Sequence, residues 1–214
     1  MTHSAAAITW LEAPQLPPWP IVWFAVEGEP GTGQEAGAVR LWGLALDDGK
    51  HEPEPEAIVA DSEDAGGRQA WERFVARAGE ILERWPQARW VHGSPREQAC
   101  VRLCAAAYGA PEGFLERLEE ALFDLLHRGV GRCVRLPSRP WSPGKRAGPA
   151  GVRGRGDPVP GRSVSRSRRG RASRDPGRSA RLLREIADGN AGDLRAMRAV
   201  WLWMLATGPK QHCG

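Results

Sequence analysis

The chain has 214 residues, 41% of them hydrophobic and 26% charged, with a formal net charge of +4. That length and composition suit one globular domain with a real core. No apolar run approaches the roughly 20 residues of a membrane span, which excludes an integral helical membrane protein.

The start, Met1 to Ala7, lacks a basic stretch followed by a long apolar core, so no signal peptide is expected. Cys100, Cys104, Cys133 and Cys213 lack the paired C-x-x-C spacing of a zinc site. Cys100 and Cys104 fall four apart on a predicted helix and read as small apolar fillers. A reduced, cytoplasmic protein is the expectation. Ten Trp are available either as core filler or as stacking surface.

The charge is unevenly placed. Between Ser138 and Arg181 stand thirteen Lys and Arg against two Asp, a net of +11, which leaves −7 for the remainder. A mildly acidic domain thus carries one intensely basic segment.

In chain order, residues 1–20 are Pro-rich and read as an irregular lead-in. Ile21 to Val26 is a continuous apolar run, a buried strand ended by Glu27, Gly28 and Pro30. Gly31 to Gly37 reads as a turn, and Val39 to Leu46 as a second strand forming a hairpin with the first. Ala57 to Ala60 is a short third strand. Trp71, Phe74, Val75, Ala78, Leu82 and Trp85 fall at helical spacing and predict an amphipathic helix from Gln69 to Trp85. A fourth strand spans Ala88 to His92. Pro95 opens a helix that Gly109 ends after Tyr108. A further helix is predicted from about Glu112 to Leu126, with Asp124 near its C-terminal end, where an acid opposes the helix dipole and needs a local partner.

Past Pro137 the pattern collapses into Arg, Gly, Ser and Pro, which cannot bury a face. The expected organisation is therefore a lead-in (1–20), a core (21–137), a disordered or loose basic loop (138–178), C-terminal helices of the same domain (179–207) and a tail (208–214). The last part reads as a short helical stretch, Ala180 to Ala187, and a final helix from about Ala191 to Leu205. Leu194, Met197, Val200, Trp201 and Met204 form the apolar stripe of that last helix.

Three carboxylates stand at telling places: Glu27 at a strand end, Glu97 in the first turn of the helix after the fourth strand, and Asp193 in the first turn of the last helix. Acids converging there are how a site holds Mg²⁺ or Mn²⁺ for phosphoryl transfer, since these hard ions need oxygen ligands. A plainer account also exists, because acids in a first turn complement the helix dipole.

Several ordered motifs resemble one family. Phe24-Ala25-Val26-Glu27-Gly28-Glu29-Pro30 is similar to an opening strand of the form F-D-x-E-G-(D/N)-P. Trp42-Gly43-Leu44, Trp71-Glu72-Arg73-Phe74 and Phe123-Asp124-Leu125-Leu126 match further segments. Trp90-Val91-His92 with Arg96-Glu97 resembles W-x-H-x-x-x-Y-E, and Gly189-Asn190 with Asp193-Leu194-Arg195-Ala196 resembles Y-N-x-x-D-L-x-A. Together they look like the RNase H-like 3′–5′ exonuclease domain of the DEDD superfamily, of the YprB-like type associated with predicted RecB-family nucleases. The likeness covers about residues 20–137 and 180–206.

The resemblance implies a mixed α/β, RNase H-like fold and a metal-dependent nuclease acting on single-stranded DNA or RNA. Glu27, Glu97 and Asp193 would be metal ligands for Mg or Mn, and a RecB-type nuclease or helicase a partner. The departures are as informative. The first Asp of the family is Ala25 here, the motif Tyr is Gly189, and the aromatic of the second acidic motif is Arg96. The copy is therefore expected to be degenerate, with a weak or inactive site.

The basic tract, with Arg162, Arg166, Arg168, Arg169 and Arg171, has its own meaning: Arg-rich segments bind phosphate backbones non-specifically. The alternatives to a nuclease are then a non-catalytic nucleic-acid-binding module and a decayed product without function. His92 on a strand end reads as a hydrogen-bonded residue rather than a catalytic one.

Overall fold

A computed structural model describes residues 8–28, 39–60, 66–135 and 176–209. At its centre is β2 (Ile21–Gly28), all eight residues of which are buried. It pairs antiparallel with β3 (Val39–Asp47) and parallel with β5 (Arg89–His92). β4 (Glu56–Val59) lies antiparallel outside β3, and β6 (Leu122–Asp124) parallel outside β5, giving the order β4-β3-β2-β5-β6. This five-stranded mixed sheet is flanked by helices on both faces, the mixed α/β architecture expected of an RNase H-like fold.

A strand covered on both faces must be apolar at every position, and β2 is. Its side chains alternate between two layers. Val22, Phe24 and Val26 point into a core with Trp42 and Trp90, closed by α1 (Gly66–Arg84), α2 (Pro95–Tyr108) and α3 (Phe114–Ala121). Trp71, Phe74, Ala78, Ile81 and Leu82 of α1 face this layer, and the Trp42 and Phe74 rings stack at 4.4 Å. Ile21, Trp23 and Ala25 point the other way, against Leu194, Trp201 and Met204 of α5 (Pro176–Thr207). Five fully buried Trp make the core, each aromatic contributing about 1.5–3 kcal/mol by burial. Core filling is thus the use of Trp23, Trp42, Trp71, Trp90 and Trp201.

α2 starts and stops where its sequence dictates. Ser94 caps it by accepting from the Arg96 amide at 3.3 Å, Pro95 opens it, and Gly109 at φ 79° ends it. Cys100 and Cys104 are buried along α2, and burial pushes their thiols up to about 11 and about 12, so both are inert fillers.

Three expectations need correction. The helix predicted over Glu112 to Leu126 ends at Ala121; Leu122 to Asp124 form β6, then a π-helical turn (Leu125–Val130) and a short α4 (Gly131–Cys133) follow. Apolar spacing fits either element there, and parallel pairing with β5 decides it. Asp124 therefore ends a strand, and its carboxylate caps the following turn by accepting from the His127 amide at 2.8 Å. Second, the two C-terminal helices are one: α5 runs unbroken for 32 residues through Gly189 and Gly192. Third, the lead-in is not wholly irregular, since β1 (Thr9–Trp10) pairs with β7 (Val134–Arg135) and Trp10 stacks on Trp203 at 5.3 Å. The predicted turn from Gly31 to Gly37 and most of the basic loop, including Arg162, Arg166, Arg168, Arg169 and Arg171, lie outside the described residues. Among the described residues no helix is long and apolar enough to cross a membrane.

Candidate active site

Parallel strands β2 and β5 run side by side and end at the same edge of the sheet, where open α/β folds place their sites. Glu27 closes β2. Its register partner is Leu41, so the alternation of the strand still holds there and turns Glu27 to the Trp23 and Ala25 side, toward α5. A bulge between Glu27 and Gly28 then ends the regular pairing, with Gly28 at φ 147° where a side chain would be strained. Glu27 is 7% exposed.

Glu97 comes from the first turn of α2 and is buried. Its Oε2 accepts the Ser94 hydroxyl at 2.6 Å and lies 3.9 Å from His92 Nδ1. His92 in turn holds the Ser94 carbonyl at 2.7 Å, the hydrogen-bonded role expected of it. Ser94 and Glu97 form the Ser-x-x-Glu pattern of a capping box, so a sequence signal for this pairing existed. It gives Glu97 a structural reason to stand at the helix start.

Asp193 has no such reason. It sits mid-helix in α5, far from any first turn, so the dipole account offered for it does not apply. Desolvation, then Glu27 and then Glu97, push its carboxyl up to about 6, while Arg96 acts in the opposite direction. Asp193 on α5 is thus within electrostatic reach of Glu27 at the strand end and of Arg96 and Glu97 in the first turn of α2. Asp193 as a whole residue is exposed on α5, while its carboxyl is partly desolvated.

Arg96 is the residue whose placement the sequence did not give. Half-buried, it donates from Nη2 to the Val26 carbonyl, 70 residues away, and so docks its guanidinium on the strand end that carries Ala25 and Glu27. Asn190 is the second. It is 1% exposed, and its Nδ2 has no hydrogen-bond partner. Its amide fills the space a side chain at Gly43 would take, and Gly43 is the register partner of Ala25. A buried donor thus stands beside position 25, which offers only a methyl group.

Do these residues suit the two divalent ions that the family resemblance implies? As they stand they do not. Position 25 supplies no oxygen to bridge two ions, Glu97 already binds a hydroxyl, and a fixed cation occupies the strand end. Among the described residues no group of three or more His, Cys, Asp or Glu is arranged to hold a metal.

No family model and no curated protein matches the chain. Among solved structures, a product-bound exonuclease I aligns with a TM-score of 0.34 at 14% identity. That alignment covers 50% of this chain and 30% of exonuclease I, so the chain spans under a third of that protein's length. At such a score the likeness decides nothing about function.

Proposed function

We propose that this chain is a nuclease-type RNase H-like domain of the YprB-like kind that engages single-stranded DNA or RNA but no longer hydrolyses it by a two-metal route. One observation carries the proposal. Glu27 lies near the end of the central strand beside Ala25, whose methyl group offers no metal ligand, and Arg96 docks its guanidinium on the Val26 carbonyl between them, with Asp193 within electrostatic reach of Glu27, Glu97 and Arg96. Nucleic-acid engagement is supported by the +11 segment between Ser138 and Arg181, whose Arg side chains would neutralise phosphates and release counterions. The resemblance adds a RecB-type nuclease or helicase as the partner class. A second function, residual cleavage with a single Mg or Mn ion, would need Glu27, Glu97 and Asp193 to close on the ion, since among the described residues no such group is arranged to hold one.

The test is degradation of a 3′-labelled single strand with Mn²⁺, comparing the wild type with Glu27→Ala at matched purity, alongside binding of the uncut strand in rising salt. The expected outcome is no cleavage above the Glu27→Ala trace, with binding that weakens steeply as salt rises. Cleavage lost in Glu27→Ala would establish the single-ion function instead. Neither cleavage nor binding would refute both.

A further inference from the structure

We propose that the π-helical turn Leu125–Val130 is a stacking platform for unpaired bases, on which the His127 ring and the Arg128 guanidinium receive a single strand near the strand-end edge of the sheet. The assignment rests on the nucleic-acid engagement proposed above and gives it a place on the fold. β6 runs parallel to β5 with Asp124 beside His92, so the turn leaves the sheet at the edge where β2 also ends. β2 lies one strand beyond β5, roughly 10 Å across the sheet from β6. π-Helical turns are rare and concentrate at functional sites. This one is closely built: the Asp124 carboxylate takes the His127 amide, and the Gly131 amide reaches back to the Leu126 carbonyl. A Cβ on Gly131 would stand 2.9 Å from that carbonyl oxygen, and one on Gly129 3.1 Å from Leu125 Cδ1, so two glycines let the wide turn close.

The turn buries Leu125 and Gly129 and leaves Leu126, His127 and Arg128 exposed, Leu126 at 53%. Among the described residues neither the His127 ring nor the Arg128 guanidinium has a hydrogen bond or an ion pair. Arg128 Cζ lies over the Phe123 ring, 5.1 Å from its centroid, so cation–π attraction steadies the guanidinium from one side. The exposure of the residue leaves the other side to solvent. Imidazole rings and guanidinium planes are among the groups on which proteins stack splayed-out bases. Such stacking accepts any base, because each has a π-face. A duplex keeps its bases stacked on one another and presents none to the turn. An acidic peptide would pair with the Arg128 charge but gain nothing from the His127 ring or Leu126, whereas a base has an apolar face for all three. From the turn the chain passes through α4 and β7 to the +11 segment, to which phosphate neutralisation falls.

The test titrates the full chain with a fluorescein-labelled thymidine strand and with an abasic strand of the same length, each over a range of salt. His127→Ala with Arg128→Lys removes both planes and keeps the charge at position 128. This variant should bind the thymidine strand about tenfold more weakly than the wild type does. Its binding of the abasic strand and both salt slopes should stay as in the wild type, because the phosphate contacts persist. Equal affinity of variant and wild type for the thymidine strand would overturn the assignment and leave nucleic-acid engagement standing. Equal losses for the two strands would also overturn it, since they report charge or folding rather than stacking. A wild type that binds neither strand would overturn the proposed engagement and the assignment with it. If the paired substitution does not fold, diethyl pyrocarbonate on the wild type decides: the thymidine strand should protect His127, and the abasic strand should leave it reactive. A His127 that stays reactive with the thymidine strand, or is protected as fully by the abasic strand or by a glutamate peptide, would overturn the assignment.

Discussion

Asn190 and Gly43 show how tightly single atoms are specified beside the site. A Cβ on Gly43 would fall 1.7 Å from Asn190 Oδ1 and 2.6 Å from its Cγ, distances no packing can absorb. Gly43→Ala must expel the Asn190 amide and should cost about 1–3 kcal/mol of overpacking or more. Asn190→Ala removes both the obstacle and a buried donor that has no partner. The double variant should therefore recover most of the loss, a coupling of at least about 1 kcal/mol in a urea-denaturation cycle. Simple addition of the two single effects would mean that the amide does not occupy the Gly43 space.

One charged tie fixes α5 to the sheet. Asp47, fully buried at the end of β3, accepts from Trp23 Nε1 at 3.0 Å, from the Gly49 amide at 2.9 Å and from Arg198 Nε at 2.7 Å. Arg198→Ala leaves that carboxylate with two neutral donors and no cation. One-sided removal from a buried pair costs about 3 kcal/mol, whereas replacing both partners by apolar groups is far milder. Arg198→Ala should thus lower the urea midpoint more than Asp47→Leu with Arg198→Met does. The opposite order would show that the tie contributes packing rather than charge pairing. The tie spans 151 positions of sequence, and neither residue belongs to any pattern a linear scan detects.

At the scale of the whole molecule, β2 is shared by both hydrophobic layers, so neither layer can lose its sheet face without exposing the other. Far-UV dichroism and tryptophan fluorescence should then report one coincident unfolding transition, since Trp42, Trp71 and Trp90 lie in one layer and Trp23 and Trp201 in the other. Two separated transitions would mean that the α5 layer comes away alone. The same sharing explains what was legible beforehand. β2 announced itself as an unbroken apolar run, α1 by its spacing, and α2 by Pro95 and Gly109, all local signals. β6 was hidden because Leu122 and Leu125 keep a helical spacing, and only pairing with β5 makes a strand of them. Gly189 and Gly192 read as a break between helices, yet tertiary packing carries α5 through both. The three acids were legible from motif resemblance; the Arg96 contact, made across 70 residues, was not.

Those two glycines bear on Asp193 in another currency, that of helix–coil statistics. A Gly inside a helix is about 1 kcal/mol worse than Ala, and nothing within 4 Å of an added Cβ at either position explains its presence by space. The turn that carries Asp193 is thus held in helical form by what Ile186, Asn190 and Leu194 bury, and hardly by intrinsic preference. The position of the third acid is set by the sheet beneath α5, not by the helix that bears it.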